Sequence, residues 1–206
     1  MSMKQRIGLM GGTFNPIHMA HLMIADRTKE AFGLDKVIFM PAKEPPHKKT
    51  IPVNHRYKMV ELAIADNPDF TISDLEIRRE GPSYSLDTVE ELLAVYGANT
   101  EIYFITGTDS IQDLPTWHKP MELLEKCHFV GTIRPEGSDQ VEASLKALEP
   151  LSRVKIHFLM VPQLAISSSY IRECLKEGKS VKYILPQVVL DYIEKEGLYK
   201  GADYDL

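Results

Sequence analysis

Two cysteines, Cys127 and Cys174, are all the thiols in 206 residues, and they lie far apart with no CxxC pair. That scarcity excludes a disulfide framework and a cysteine zinc site, and it fits two ordinary thiols in a reducing cytosol. A basic excess is missing too. Lys and Arg number 24 against 29 Asp and Glu, a formal net charge of -5. The chain is therefore not composed as a general binder of nucleic acid or of a membrane surface. A local basic pocket for a small phosphate ligand remains compatible with that balance. No apolar run approaches the length of a membrane span. The apolar core of "MSMKQRIGLMGG" (1–12) is too short for a secretory signal. Internal repeats and low-complexity tracts are also missing, so the expectation is a soluble, cytoplasmic, globular protein.

What the chain does contain is an alternation. Short runs rich in Ile, Val and Phe, at 6–10, 36–41, 101–107, 128–133 and 155–161, read as strands. Several are apolar at consecutive positions, as strands covered on both faces require. Segments of helical period separate them, at 21–32, 55–65, 85–96 and 120–127. In the third, Leu86, Val89, Leu92 and Leu93 share one face while Asp87, Glu90 and Glu91 point elsewhere. The alternation predicts an α/β fold, a Rossmann-like open parallel sheet with helices on both faces. "SSSYIRECLKEG" (167–178) and "PQVVLDYIEKEGLY" (186–199) then read as helices, the first capped by Ser167 or Ser168 and the second opened by Pro186. The length suits one domain over 1–206, with a parallel α/β core over 6–165 and a short C-terminal helical tail over 166–199. "GADYDL" (201–206) reads as a frayed end. The oligomeric state stays open, a homo-oligomer included.

Ligands of open parallel sheets bind at the carboxyl ends of the strands. The loop after the first strand, "GGTFNPIHMAH" (11–21), has unusual chemistry. Gly11 and Gly12 allow close backbone approach or backbone angles closed to other residues. The helix that follows is expected to offer unpaired N–H groups and the positive end of its dipole to a phosphate. His18 and His21, at i and i+3, share a face at that helix start and can both donate to one phosphate group. The same pair could serve a metal, although no nearby Asp or Glu is placed as a third ligand. The loop lacks the GK[ST] of a Walker A motif and the full GxGxxG pattern. At the other end of the chain, "ISSSYIR" (166–172) sets three hydroxyls at a helix start with Arg172 one turn in, more than a cap requires.

Together, "GGTFNPIHMAH" and "ISSSYIR" resemble the two halves of the nucleotidyltransferase superfamily signature, a Gly-rich loop with Phe-Asp-Pro and [HT]-x-G-H, and a distant ISS-[TS]-x-[IV]-R. His at the first position of the second motif points to its mononucleotide branch. "PPHKK" (45–49), "PSYSLDTVEEL" (82–92), "GTDSIQDLPTWHK" (107–119) and "RP" (134–135) resemble bacterial nicotinate mononucleotide adenylyltransferases, over about residues 6–199. Asn15 and Ala20 depart from the pattern, which has Asp and Gly there. The resemblance implies the nucleotidyltransferase fold and transfer of AMP from ATP to nicotinate mononucleotide, releasing pyrophosphate, with Mg²⁺ carried on the ATP. It implies that His18 and His21 stabilise the α-phosphoryl group in transit. An ATP site would draw on Gly11, Gly12, Thr13, Phe14, Lys48, Ile166, Ser167, Ser168, Ser169 and Arg172. A mononucleotide site would draw on Thr13, Ser85, Thr88, Asp109, Trp117 and Arg134.

The residues themselves support parts of this assignment. Trp117 is the only Trp, set in a Pro-flanked loop, and a Trp on a pocket wall can stack on a pyridine. The helix start at Ser85 favours an anionic carboxylate over a neutral carboxamide. Asp109 is positioned either to hold ribose hydroxyls or to cap the next helix. Lys48 lies in a loop rigidified by prolines that could fold over the phosphates. The rival readings are adenylyl transfer to another phosphate acceptor, such as nicotinamide mononucleotide or phosphopantetheine, cytidylyl transfer, a fragment of a class I aminoacyl-tRNA synthetase, and a nucleotide-binding sensor without catalysis.

Overall fold

A computed structural model describes residues 4–44, 49–81, 83–97, 99–133, 155–162 and 164–200, the side chain of Asp109 excepted. Six strands form one parallel sheet: β1 (Gln5–Gly12), β2 (Lys36–Pro41), β3 (Phe70–Ile72), β4 (Thr100–Gly107), β5 (Cys127–Ile133) and β6 (Ile156–Met160). Their order across the sheet is β3-β2-β1-β4-β5-β6. β1 is thus central, paired in parallel with β2 on one side and β4 on the other. The chain moves outward one way through β2 and β3, then returns to continue outward from β4, so the crevice between the carboxyl ends of β1 and β4 is the switch point.

The helices are α1 (Met19–Phe32), α2 (Val53–Ile64), α3 (Leu75–Arg78), α4 (Ser85–Tyr96), α5 (Thr108–Asp113), α6 (Pro120–Lys126), α7 (Ser168–Lys176) and α8 (Gln187–Lys195). The sheet divides the apolar core in two. One cluster gathers Leu86, Val89 and Leu92 of α4 with Leu123 and Leu124 of α6 against Ile7, Leu9 and Phe129. These are the α4 positions its helical period selects, with Leu93 half-buried beside them. The other cluster packs Val60 and Ala63 of α2 with Ile171, Cys174, Val189 and Ile193 of the C-terminal helices. Each such aliphatic burial contributes about 1.5–3 kcal/mol. The tail is therefore part of the core, and this packing carries its first helix up to the loop after β1.

Four short elements go beyond the sequence reading. β3 is three residues long, too short to show a period, and α3 is a single turn. The stretch 107–119, which holds the Pro-flanked loop of Trp117, contains α5 and a 3-10 turn over Leu114–Thr116. Among the described residues, no helix is long and apolar enough to cross a membrane. Both cysteines are free and buried, and burial pushes the Cys127 thiol up to about 12.

Candidate active site

A cavity of about 850 Å³ opens at the switch point, a size suited to a small-molecule ligand. Gly11 lines it from the end of β1, Thr13 from the loop that follows, and Thr106 and Gly107 from the end of β4. Ile166, Ser167, Ser168, Ser169 and Arg172 close it from the start of α7. The two sequence motifs thus meet across one space.

The loop after β1 is braced from outside by its carbonyls. Gly12 O accepts from the Ala42 N–H at 2.9 Å. Asn15 O accepts from Arg172 Nη1 at 2.9 Å, and Pro16 O from the Ser168 hydroxyl at 2.9 Å. Phe14 holds φ 49°, in the left-handed region, without being glycine, a conformation that costs of order 1–3 kcal/mol and persists only where its surroundings enforce it. They do. Its ring is 2% exposed, meets Phe39 at 5.9 Å and stands edge-on to His21 at 5.2 Å. Phe14, expected among the ATP contacts, lines the cavity while its ring packs into the core and backs the His21 ring. Gly12 is not on the cavity wall. A Cβ there would lie 2.8 Å from Phe14 Cζ, so Phe14 is what demands the glycine.

His18 caps α1 and His21 stands one turn in. Their rings stack at 3.8 Å between centroids and 26° between planes, and both line the cavity. The His18 main-chain N–H donates to His21 Nδ1 at 3.3 Å. That bond makes Nδ1 the acceptor, so in neutral His21 the proton sits on Nε2 as a donor. His18 Nδ1 is buried with no hydrogen-bond partner among the described residues. Burial lowers the His18 pKa to about 4. Burial, and then the neighbouring His18, hold His21 well below the usual imidazole value. Both rings are neutral at pH 7, so each has one ring N–H to donate.

The expectation that the helix start offers unpaired amides is corrected in part: Ala20, at the second position of α1, lines the cavity, but the amides around it are engaged. The His18 N–H is engaged with His21 Nδ1. The Met19 N–H donates to Ile184 O at 3.2 Å and the His21 N–H to His18 O at 3.0 Å. A bracing tail and a local turn thus use three of the donors that helix geometry leaves free, and the two imidazoles add ring donors on the same wall.

In α7, Ser167 is the cap, accepting from the Tyr170 N–H at 3.2 Å. Ser168 and Arg172 brace the opposite loop as described, and Arg172 Nη2 donates to Ser169 Oγ at 3.2 Å. A guanidinium has five donors, so these contacts leave others for an anion. Lys48 and Arg134 lie outside the described residues. Lys49, which the sequence reading passed over in favour of Lys48, lines the cavity and is exposed. Thr106 and Thr132 also line it. No motif marks them, and only strand register brings them there.

Thr88, Ser85 and Trp117 lie off this cavity. Thr88 is 1% exposed, donates its hydroxyl to Glu76 Oε1 at 2.8 Å and accepts from Arg79 Nη1 at 3.1 Å. It fixes α4 against α3 and is not presented to a ligand, which corrects its expected role. Ser85 is half-buried at the first position of α4. Trp117 is half-buried, edge-on to Phe104 at 5.7 Å and to Phe129 at 5.9 Å. Tyr84, just before Ser85, stacks on His118, just after Trp117, at 4.3 Å and 25°. The structure thus brings the Ser85 helix start beside the Trp117 loop. Asp109 lies in α5, with its side chain outside the described set.

Residues 9–174 match the family described as cytidylyltransferase-like. A Moorella thermoacetica protein named "Probable nicotinate-nucleotide adenylyltransferase" is 47% identical over 199 residues, 95% of this chain and 92% of its own. One of the same name from Thermoanaerobacter sp. is 45% identical, covering 97% of both chains. The solved structure of Plasmodium falciparum nicotinic acid mononucleotide adenylyltransferase complexed with NaAD has a TM-score of 0.79 at 24% identity, over 95% of this chain and 97% of that one. At that identity the likeness shows the shared fold.

Proposed function

This chain belongs to the nicotinate-nucleotide adenylyltransferase family, and from that membership we infer that it transfers the AMP moiety of ATP to nicotinate mononucleotide, yielding nicotinate adenine dinucleotide and pyrophosphate in NAD biosynthesis. The observation that carries the assignment to this cavity is the stacked His18–His21 pair facing the hydroxyls and guanidinium of the α7 start across one space.

The reaction forms a bond from a mononucleotide phosphate oxygen to the α-phosphorus of ATP. It breaks the bond from that phosphorus to the bridging oxygen, and pyrophosphate leaves with the electron pair. The attacking phosphate, with a second pKa near about 6, is already largely ionised at pH 7, so no side-chain base is needed. The protein supplies positioning and charge stabilisation. We assign the His18 and His21 N–H groups to the α-phosphoryl oxygens and the leaving bridge. Arg172, Ser168 and Ser169 serve the phosphate tail, with Lys48 or Lys49 from the β2–α2 connection. Main-chain groups of Gly11, Thr13 and Ile166 complete the ATP wall. Ser85, Trp117, Asp109 and Arg134 serve the mononucleotide. Among the described residues, no group of three or more His, Cys, Asp or Glu side chains is placed to hold a metal. We assign Mg²⁺ to the ATP, held mainly by its phosphates and water. Free thiols support a cytoplasmic setting.

Pyrophosphate release from ATP with nicotinate mononucleotide, nicotinamide mononucleotide and phosphopantetheine in turn tests the reading. The fastest release is expected with nicotinate mononucleotide. ATP binding without release for any acceptor would overturn it in favour of a sensor.

A further inference from the structure

α2 contains an arginine with no exposed surface: Arg56 is 0% exposed. Among the described residues it has no carboxylate partner. Its fork ends instead on three main-chain carbonyls. Nη1 donates to Thr13 O at 2.8 Å, Nη2 to Lys43 O at 2.8 Å and Nε to Ile51 O at 3.2 Å. Thr13 belongs to the Gly-rich loop. Lys43 and Ile51 belong to the β2–α2 connection, one at each side of it. One side chain therefore ties together two loops whose residues Thr13, Lys49 and Thr50 line the same cavity, while Arg56 itself does not reach the cavity wall.

A buried cation without a counter-charge is an expensive way to fill space, and an apolar side chain of similar volume does so more cheaply. Burial works against the Arg56 charge, while the nearby Tyr199 phenol favours it. What an apolar residue cannot do is hold three carbonyls at fixed mutual angles. A lysine cannot do so either, because its donors radiate from one nitrogen whereas the guanidinium spreads them over a rigid plane.

We propose that Arg56 is a positioning residue for adenylyl transfer, setting the Gly-rich loop and the β2–α2 connection at the spacing that lets both meet one phosphate chain. The proposal rests on the ATP reading of the cavity. It also explains why the loop's Thr13 carbonyl, like those of Asn15 and Pro16, is taken by a side chain from a distant element.

The test compares Arg56→Lys and Arg56→Ala with the wild type in three measurements: ATP binding by calorimetry, steady-state kinetics, and urea unfolding. Arg56→Lys is expected to remain folded at assay temperature. Its kcat/KM for ATP should fall about 10- to 100-fold, the loss that accompanies a displacement near 1 Å, while KM for nicotinate mononucleotide changes little. ATP binding should weaken in parallel. In Arg56→Ala, millimolar guanidinium should restore part of the lost rate and methylammonium should not. A folded Arg56→Lys with wild-type ATP binding and kcat/KM would overturn the proposal. So would a loss that only tracks the unfolded fraction. If the wild type released no pyrophosphate, the activity reading alone would fail, since the ATP-binding comparison still decides the role of Arg56.

Discussion

The Tyr199 hydroxyl donates to Asn15 Oδ1 at 2.7 Å, a bond between residues 184 apart in sequence. Tyr199 is 2% exposed and Asn15 3%, so the bond is dry. Arg172 holds the Asn15 carbonyl as well. The end of the chain thus braces the loop that carries the histidines, and the C-terminal helices shape the site they help to enclose.

Tyr199→Phe removes the donor and leaves the amide oxygen buried without it. Such an orphan costs about 1–3 kcal/mol, and the urea midpoint should fall accordingly. A loosened loop should also raise KM for ATP by a few-fold. An unchanged midpoint would show that the bond adds nothing to stability.

His18→Ala and His21→Ala should each lower kcat by roughly 10²–10³, the usual loss for one donor to a charge that develops in the transition state. ATP affinity should change much less, because the ground state makes weaker use of the same bonds. His21→Ala should also cost some stability, since it takes the acceptor from the buried His18 N–H. Wild-type turnover in both variants would refute the role given to the stacked pair.

Neutral buried imidazoles give the fold a pH dependence of known sign. The His18 value falls from 6.5 unfolded to about 4 folded. Between those values the unfolded chain binds more protons, so acid favours unfolding. Stability should decline as pH drops below 6.5 and level off for this group near 4. His18 alone accounts for about 3 kcal/mol over that span. Urea unfolding at a series of pH values for the wild type and for His18→Asn, which keeps a good cap, isolates this part. An equal slope in both proteins would assign the acid sensitivity elsewhere, with His21, His128 and His157, also lowered chiefly by burial, the other groups to weigh.

Several of these relationships were legible in the residues. The strand runs and the α4 face were visible because burial on a sheet imposes a period and a composition. The two motifs were visible because they join glycines, imidazoles and hydroxyls at fixed spacing. The braces were not. Arg56 sits in an ordinary helical period, "NHRYKM", and nothing local says that its fork ends on Thr13, Lys43 and Ile51. Thr88 looked available because a helix start normally presents its hydroxyls, but α3, a single turn with no visible period, supplies Glu76 to take the bond. Long-range pairing also took the Met19 amide at the start of α1, since Ile184 is remote in sequence from Met19.

Trp117 presents both of its possible roles in one place. Its edge contacts with Phe104 and Phe129 tie it to the core, while the Tyr84–His118 stack holds it beside the Ser85 helix start, where a pyridine carboxylate would lie. Trp117→Leu separates the roles. Leucine retains an apolar contact with the two phenylalanines, and a tolerated apolar exchange costs about 1.5 kcal/mol or less. It offers no ring to stack on, and losing an aromatic pair worth about 0.5–1.5 kcal/mol should raise KM for nicotinate mononucleotide roughly two- to tenfold. KM for ATP should remain unchanged, because Trp117 lies off the cavity wall that the histidines line. If KM for the mononucleotide holds steady while the urea midpoint drops sharply, Trp117 is a core residue only, and the pyridine must be held by another surface.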